Sequence, residues 1–196
     1  MQIRAFIFDA DGVVVHPWRF ARYLEREHRI TDAQTQEFFR GTFLNCLVGQ
    51  ADLKTELAPF LQKWGWRESV DTFLQRWLIE EDAVNIQLIG AIADLRNQGI
   101  RCYLATNQEN YRASYMKQIM GFSRLFDGAF FSAEIGAIKP NLDFFEYVTA
   151  AIGQPPSSML FWDDSEKNVQ AARKHGWQAE QYTDFETFQM VLPKYI

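Results

Sequence analysis

From residue 100 onward, short apolar runs alternate with helically spaced segments, and this alternation limits the possible folds more than any other feature of the chain. Ile100 to Ala105 reads as a strand, followed by a helix at about 109–120, a short strand at Gly128 to Phe131 and a helix at about 141–152. Next come a strand at Met159 to Trp162, a helix at about 166–175, a short strand near Gln178 to Tyr182 and a last helix at about 184–192. One further strand, Ile3 to Phe8, lies far upstream. Strands and helices in alternation build a mainly parallel sheet with helices on both faces, which predicts a doubly wound α/β fold.

The stretch between the first two strands is too long for a simple connection. Apolar spacing predicts helices at roughly 18–29, 32–40, 52–64 and 68–81, with Thr31-Asp32 as an N-cap and breaks at Gly41, Gly49 and Gly65. A further helix at about 84–98 ends at Gly99 and leads into the second strand. That helix alone completes a βαβ crossover. The residues before it are surplus, so 15–83 is expected to be an inserted helical subdomain, with 1–14 and 84–196 forming the core domain.

Where the predicted strands end, polar residues gather. Phe6-Ile7-Phe8 runs into Asp9-Ala10-Asp11-Gly12. Two carboxylates so close repel each other, and a bound cation is one way to compensate them; a turn capped by Asp and Gly is the other reading of this segment. Thr106-Asn107 follows the second strand and could cap the next helix. Lys139-Pro140 follows the loop Glu134 to Ile138. Asp163-Asp164-Ser165 follows the fourth strand, with Asn168 four residues after Asp164. Each cluster alone has an ordinary explanation. Together they bring two acidic pairs, a hydroxyl and a lysine to strand C-termini, where open α/β sheets hold their ligands. That is an inventory suited to phosphoryl transfer.

Composition narrows the partners. The chain has 196 residues, 47% of them hydrophobic, enough for one core domain with an insertion. Its net charge of -5 argues against a large nucleic-acid footprint. No apolar run is long enough to span a bilayer, and no signal-peptide pattern precedes the first strand. The two cysteines, Cys46 and Cys102, are far apart and in no CxxC spacing, which suits a reduced cytoplasm. The 17 Phe and 6 Trp are spread along the chain and read as core and cap packing rather than a binding stripe.

In order, spacing and context, these motifs resemble those of the haloacid dehalogenase superfamily, in its phosphatase branch. They stand here as Asp9-Ala10-Asp11-Gly12, Thr106-Asn107, Gly136-Ala137-Ile138-Lys139-Pro140 and Asp163-Asp164-Ser165-Glu166-Lys167-Asn168. The match runs from residue 3 to about residue 183, and the insertion resembles the family's helical cap. The resemblance implies Asp9 as nucleophile and Asp11 as general acid, then base. It implies Mg²⁺ held by Asp9, the backbone carbonyl of Asp11 and Asp164, with Asp163 and Asn168 in supporting positions. Thr106 and the Asn107 backbone would bind the phosphoryl group, and Lys139 would offset its charge.

The resemblance thus implies Mg²⁺-dependent hydrolysis of a small phosphorylated metabolite, with no nucleic-acid or membrane partner. Sugar phosphates, phosphoglycolate and nucleotides are all open. Metal-independent haloacid dehalogenases typically lack the second aspartate, so Asp11 and Asp164 favour a phosphatase. In signalling receiver domains the lysine comes last, whereas Lys139 precedes Asp163-Asp164. An inactive member binding a phospho-ligand is disfavoured because every catalytic position is filled. His16, Trp18 and Arg19 near the hinge, and Arg40, Asn45 and Gln50 around a loop between cap helices, could face the site, but each reads first as a surface or packing residue. His28 and His175 are expected on helix surfaces. The oligomeric state is not legible.

Overall fold

The structure, a computed structural model, describes residues 2–16 and 19–196, so Trp18 lies outside the described residues. Its centre is a sheet of β1 (Ala5–Phe8), β2 (Arg101–Thr106), β3 (Gly128–Phe131), β4 (Met159–Asp163) and β5 (Gln178–Gln181). All neighbours pair in parallel, in the order β3-β2-β1-β4-β5. β1 is central and every residue of it is buried, because both sheet faces are covered; hence its unbroken apolar run. The period of two sorts its side chains. Phe6 and Phe8 join Cys102, Leu104, Leu160 and Trp162 on one face. Ala5 and Ile7 join Tyr103, Ala105, Met159 and Phe161 on the other.

Among the described residues, twelve α-helical segments surround or precede this sheet. Before the crossover come α1 (Arg19–Tyr23), α2 (Asp32–Phe39), α3 (Phe43–Leu47), α4 (Leu53–Trp64) and α5 (Val70–Glu80). The rest are α6 (Ile86–Asn97), α7 (Asn110–Gln118), α8 (Phe122–Leu125), α9 (Ser132–Ile135), α10 (Leu142–Ile152), α11 (Glu166–Lys174) and α12 (Phe185–Val191). Leu88, Ile92 and Leu95 of α6 cover the first face, with Met116 of α7 and Phe188 of α12. Phe144, Phe145 and Val148 of α10 cover the second, with Val169 and Ala172 of α11. The apolar stripes predicted from spacing are the stripes that face the sheet.

The residues of α1 to α5 have a hydrophobic cluster of their own. Phe20, Phe38, Leu57, Leu61, Trp64 and Phe73 are its buried centre, and Phe20 meets Phe73 edge-on at 5.0 Å. Each such side chain contributes about 1.5–3 kcal/mol on burial, so the segment carries its own driving force for collapse. Its helix starts are written locally. Asp52 accepts from the Thr55 amide at 2.9 Å, Ser69 from the Thr72 amide at 3.1 Å, and the Thr31 amide donates to the Gln34 side chain at 2.9 Å. The chain leaves and re-enters the sheet at one place. Val15 bridges Val84 in antiparallel fashion, the His16 amide donates to the Ala83 carbonyl at 2.8 Å, and the Asn85 amide donates to the Val14 carbonyl at 2.8 Å.

Some local expectations are corrected. The helix expected at 18–29 is α-helical only to Tyr23, then widens to a π-helical turn over Leu24–His28, closed by Arg29 in the left-handed region at φ 59°. α3, α8 and α9 were not anticipated; at four or five residues each they are too short to show a period. α9 occupies part of what reads as a loop before Lys139. His28 and His175 are half-buried rather than on helix surfaces: His28 packs on Trp66 at 4.4 Å, and the His175 Nε2 lies 3.0 Å from the Thr149 hydroxyl.

Candidate active site

The polar clusters of the sequence meet at the C-terminal edge of the sheet because β1, β2 and β4 are adjacent and parallel. Asp9 is the first residue past β1, and its amide donates to the Trp162 carbonyl of β4 at 2.9 Å. Asp163 ends β4 and is fully buried. Between them sits the ammonium of Lys139, itself 3% exposed. Its Nζ is 2.8 Å from Asp9 Oδ1 and 2.7 Å from Asp163 Oδ2. A lysine this deeply buried needs such partners.

Asn107 and Asn168 hold this trio in place. The Asn107 amide group donates to the Lys139 carbonyl at 3.0 Å, while its side-chain oxygen accepts from the Lys139 amide at 2.9 Å. Asn107 therefore grips the lysine's backbone, a contact that its expected role through its own backbone N–H did not include. Asn168 donates to both oxygens of Asp163, at 3.0 and 3.1 Å, and the Ser165 amide adds a third donor at 2.8 Å.

Carboxylates outnumber the ammonium. Oxygens of Asp9, Asp163 and Asp164 all lie within 4.8 Å of one another. Burial is the largest cause of the shift at Asp9; Lys139 opposes it, Asp163 and Asp11 add to it, and the carboxyl is pushed from 3.8 up to about 8. Asp164, more exposed, is also raised, by burial first and then by Asp163. Burial works against the Lys139 ammonium, but Asp163 and Asp9 outweigh it and its pKa rises. A group of three hard oxygen donors with surplus negative charge fits a divalent cation such as Mg²⁺. The backbone leaves room for the third donor: Gly12 has φ 82°, and a Cβ there would lie 2.2 Å from Asp164 Oδ2. The side chain of Asp11 is not part of this group.

Asp11 instead turns toward the residues that follow β2. Its Oδ1 accepts from Arg112 Nη2 at 2.8 Å and its Oδ2 from Gln108 Nε2 at 2.7 Å. Gln108 also reaches the Thr106 hydroxyl at 3.3 Å, so one amide ties the second aspartate to the threonine. Ser132, after β3, accepts from the Gln108 amide at 2.9 Å and so fixes that residue's backbone. Thr106 and Asn107 do not cap α7. Glu109 does, accepting from the amides of Tyr111 and Arg112 at 2.7 and 2.6 Å. Arg112 is buried, with Nε and Nη1 making no hydrogen bond.

Gln108, Arg112 and Ser132 escaped sequence reasoning. The only available signal was their nearness to Thr106-Asn107 and to the end of the third strand. His16 and Arg19 are exposed and do not line the cavity beside the site, whereas Arg40 does.

Residues 3–176 match the family model for haloacid dehalogenase-like hydrolases. A sesquiterpene phosphatase of Aspergillus oryzae is 32% identical over 98 residues, 50% of this chain and 50% of its own length. The match thus spans half the length of that relative. A phosphatase of Mycobacterium tuberculosis is 28% identical over 189 residues, covering 91% of this chain and 87% of its own. A HAD family enzyme of Bacteroides thetaiotaomicron, solved in complex with magnesium and inorganic phosphate, superposes with a TM-score of 0.77 at 19% identity, covering 95% of this chain and 98% of its own. At that identity the likeness establishes the fold.

Proposed function

The chain belongs to the haloacid dehalogenase-like hydrolases, and from that premise we propose that it hydrolyses a phosphate monoester with Mg²⁺, through an aspartyl-phosphate on Asp9. The observation that carries the proposal is the convergence of Asp9, Lys139, Asp163 and Asp164 at one sheet edge, with Asp11 and Thr106 beside them. Two of the relatives are phosphatases, and the Bacteroides enzyme holds magnesium and phosphate on the same fold.

In the first step a carboxylate oxygen of Asp9 attacks phosphorus, the ester P–O bond breaks, and Asp11 gives a proton to the departing alcohol oxygen. In the second, Asp11 takes a proton from water as its oxygen attacks the same phosphorus. The P–O bond to Asp9 breaks and inorganic phosphate leaves. Lys139 lets an anion approach an anion by offsetting charge on both. The Thr106 hydroxyl accepts from Gln108, which leaves its own proton for a phosphoryl oxygen. Asp9, Asp163 and Asp164 would hold Mg²⁺, with the Asp11 backbone carbonyl as a further ligand. Bound there, Mg²⁺ supplies neutralisation of phosphoryl charge and alignment for in-line transfer. Arg112 and Gln108 orient the Asp11 carboxylate. Residues 15–83 form the cap in this reading, supported by their separate hydrophobic cluster and by the junction at Val15 and Val84.

The test is a quench experiment with p-nitrophenyl phosphate and Mg²⁺. Phosphoryl groups should be found covalently on the peptide containing Asp9, and excess chelator should stop turnover. Undiminished turnover in chelator, or product formation with no phosphoryl group on that peptide, would overturn the mechanism.

A further inference from the structure

Between the helical segment and the sheet edge lies a cavity of about 670 Å³, within the usual size range for small-molecule sites. Asp11, Gln108 and Arg112 line one end of it. Its wall is built from Leu24, Ile30, Phe39, Phe43, Leu47 and Trp77. The rings form one aromatic surface: Phe39 meets Trp77 edge-on at 5.6 Å, and Phe43 lies 5.2 Å from Phe39 and 5.9 Å from Trp77. These rings are only partly buried. They were expected to serve packing alone.

The polar groups on the cap side of the cavity are engaged or exposed. The Thr35 hydroxyl donates to the Asp32 carbonyl at 3.0 Å, and the Gln36 amide to the Asp32 carboxylate at 2.9 Å. Arg22, Glu25, Asp32 and Arg40 are exposed and belong to its solvent edge. Glu81 accepts from the Phe20 amide at 2.8 Å and is held above the usual carboxylate range, chiefly by burial. Apart from the inner end, where Arg112 Nε and Nη1 lack partners, a sugar or nucleotide seated along this wall would leave its hydroxyls facing aromatic rings, unpaired, which is costly. An apolar group would lose only its contact with water.

We propose that this cavity holds the leaving group, and that the substrate is the phosphate ester of a long-chain or polycyclic aliphatic alcohol. The inference rests on the phosphatase reading, because Asp11, at the inner end of the cavity, is the residue assigned to protonate that alcohol. Such a substrate would place its phosphate against Asp9 and Lys139, its ester oxygen near Asp11, and its hydrocarbon along Phe39, Phe43 and Trp77. Within the expected class of small phosphorylated metabolites, this narrows the substrate to a lipophilic ester.

The test uses butyl, octyl and dodecyl phosphate with the whole protein and Mg²⁺, below micelle-forming concentrations. kcat/KM should rise by roughly fourfold per added methylene until the cavity is filled, as expected for burying one CH₂, and most of the rise should fall in KM. Phe43→Asp should flatten this chain-length dependence, and Phe43→Leu should keep it. If Phe43→Asp does not fold, Leu47→Gln serves the same purpose. Equal turnover of all three esters, or faster turnover of sugar phosphates, would overturn the lipophilic pocket and leave the phosphatase reading intact. Turnover of no ester at all would overturn the phosphatase reading. In that case, quenching of Trp fluorescence by dodecyl phosphate, compared with butyl phosphate, decides the cavity separately: stronger quenching by the longer chain supports it, and no difference overturns it.

Discussion

At the sheet edge, Asp9, Thr106, Lys139 and Asp163 are buried side by side, whereas in the helical segment Thr35 and Glu81 are the buried polar residues among those described. The two regions touch where the Tyr111 hydroxyl donates to Asp52, yet they are stabilised by different physics. The sheet edge is held by short, directional contacts between charges, each of which fails if its partner is removed. The helical segment is held by ring and aliphatic packing, which tolerates exchange of similar volumes. Changes at the edge should therefore act steeply and depend on pH, and changes in the segment should act gradually and not depend on it.

The largest expected effect is at the nucleophile. Asp9→Asn should lower kcat by roughly 10⁴-fold or more, the scale of losing a covalent nucleophile, while keeping the fold. Circular dichroism and phosphate release check both halves. Retained activity in a folded variant would remove the sheet edge from the chemistry.

Next comes Lys139→Ala, which leaves Asp9 and Asp163 buried without their shared cation. It should cost about 3–5 kcal/mol by urea unfolding at about pH 8.5, and clearly less at about pH 6, where Asp9 carries its proton. Leu57→Ala, in the fully buried centre of the helical cluster, should cost about 2–5 kcal/mol at either pH. The same pH response in both variants would break the contrast between the regions.

Arg112→Leu should be milder. It removes one of the two donors that hold the Asp11 carboxylate, so kcat for alkyl phosphates should fall by part of the 10²–10⁴-fold that general acid–base catalysis supplies. Aryl phosphates, which leave without protonation, should lose less. Equal losses for both classes would mean that Arg112 acts on the fold rather than on Asp11.

The smallest effect is a shift in Tm. Because the Asp9 carboxyl titrates near 8 in the fold against 3.8 ordinarily, the folded chain keeps that proton to higher pH than the unfolded one. Its contribution is fully present below the lower value and is lost as pH rises through about 8, so the metal-free protein should melt lower at alkaline pH. Asp164, also raised, acts in the same direction. Mg²⁺ requires the carboxylate form, so its stabilisation should be greater at about pH 8.5 than at about pH 6. A Mg²⁺ shift that does not depend on pH would mean that Asp9 is not among its ligands.

Much of the fold could be read directly. β3 spans the expected Gly128 to Phe131, and β4 extends Met159 to Trp162 by the single residue Asp163. An apolar run buried on both faces and a stripe of period 3.6 are local patterns, written in neighbouring residues. Where no full period exists, as in α3, α8 and α9, reading by pattern failed. Asp9, Thr106 and Asp163 were legible for a related reason: they lie at strand ends, and parallel strands bring their C-termini to one edge, whereas Lys139 reaches that edge from beyond α9.

The local pattern of the chain was sufficient for the alternation of elements, the N-cap at Thr31, and the gathering of Asp9, Thr106, Lys139 and Asp163 at one edge. Tertiary structure alone decided that Asp11 turns away from the other carboxylates toward Arg112 and Gln108, that Asn107 grips the backbone of Lys139, and that three aromatic rings packed on the helical core also line a cavity. The pairs involved are far apart in sequence, Asp11 and Arg112 by 101 residues and Asn107 and Lys139 by 32. Strand order and helix placement bring them together, and no periodicity within either segment encodes which side chain it will meet in the other.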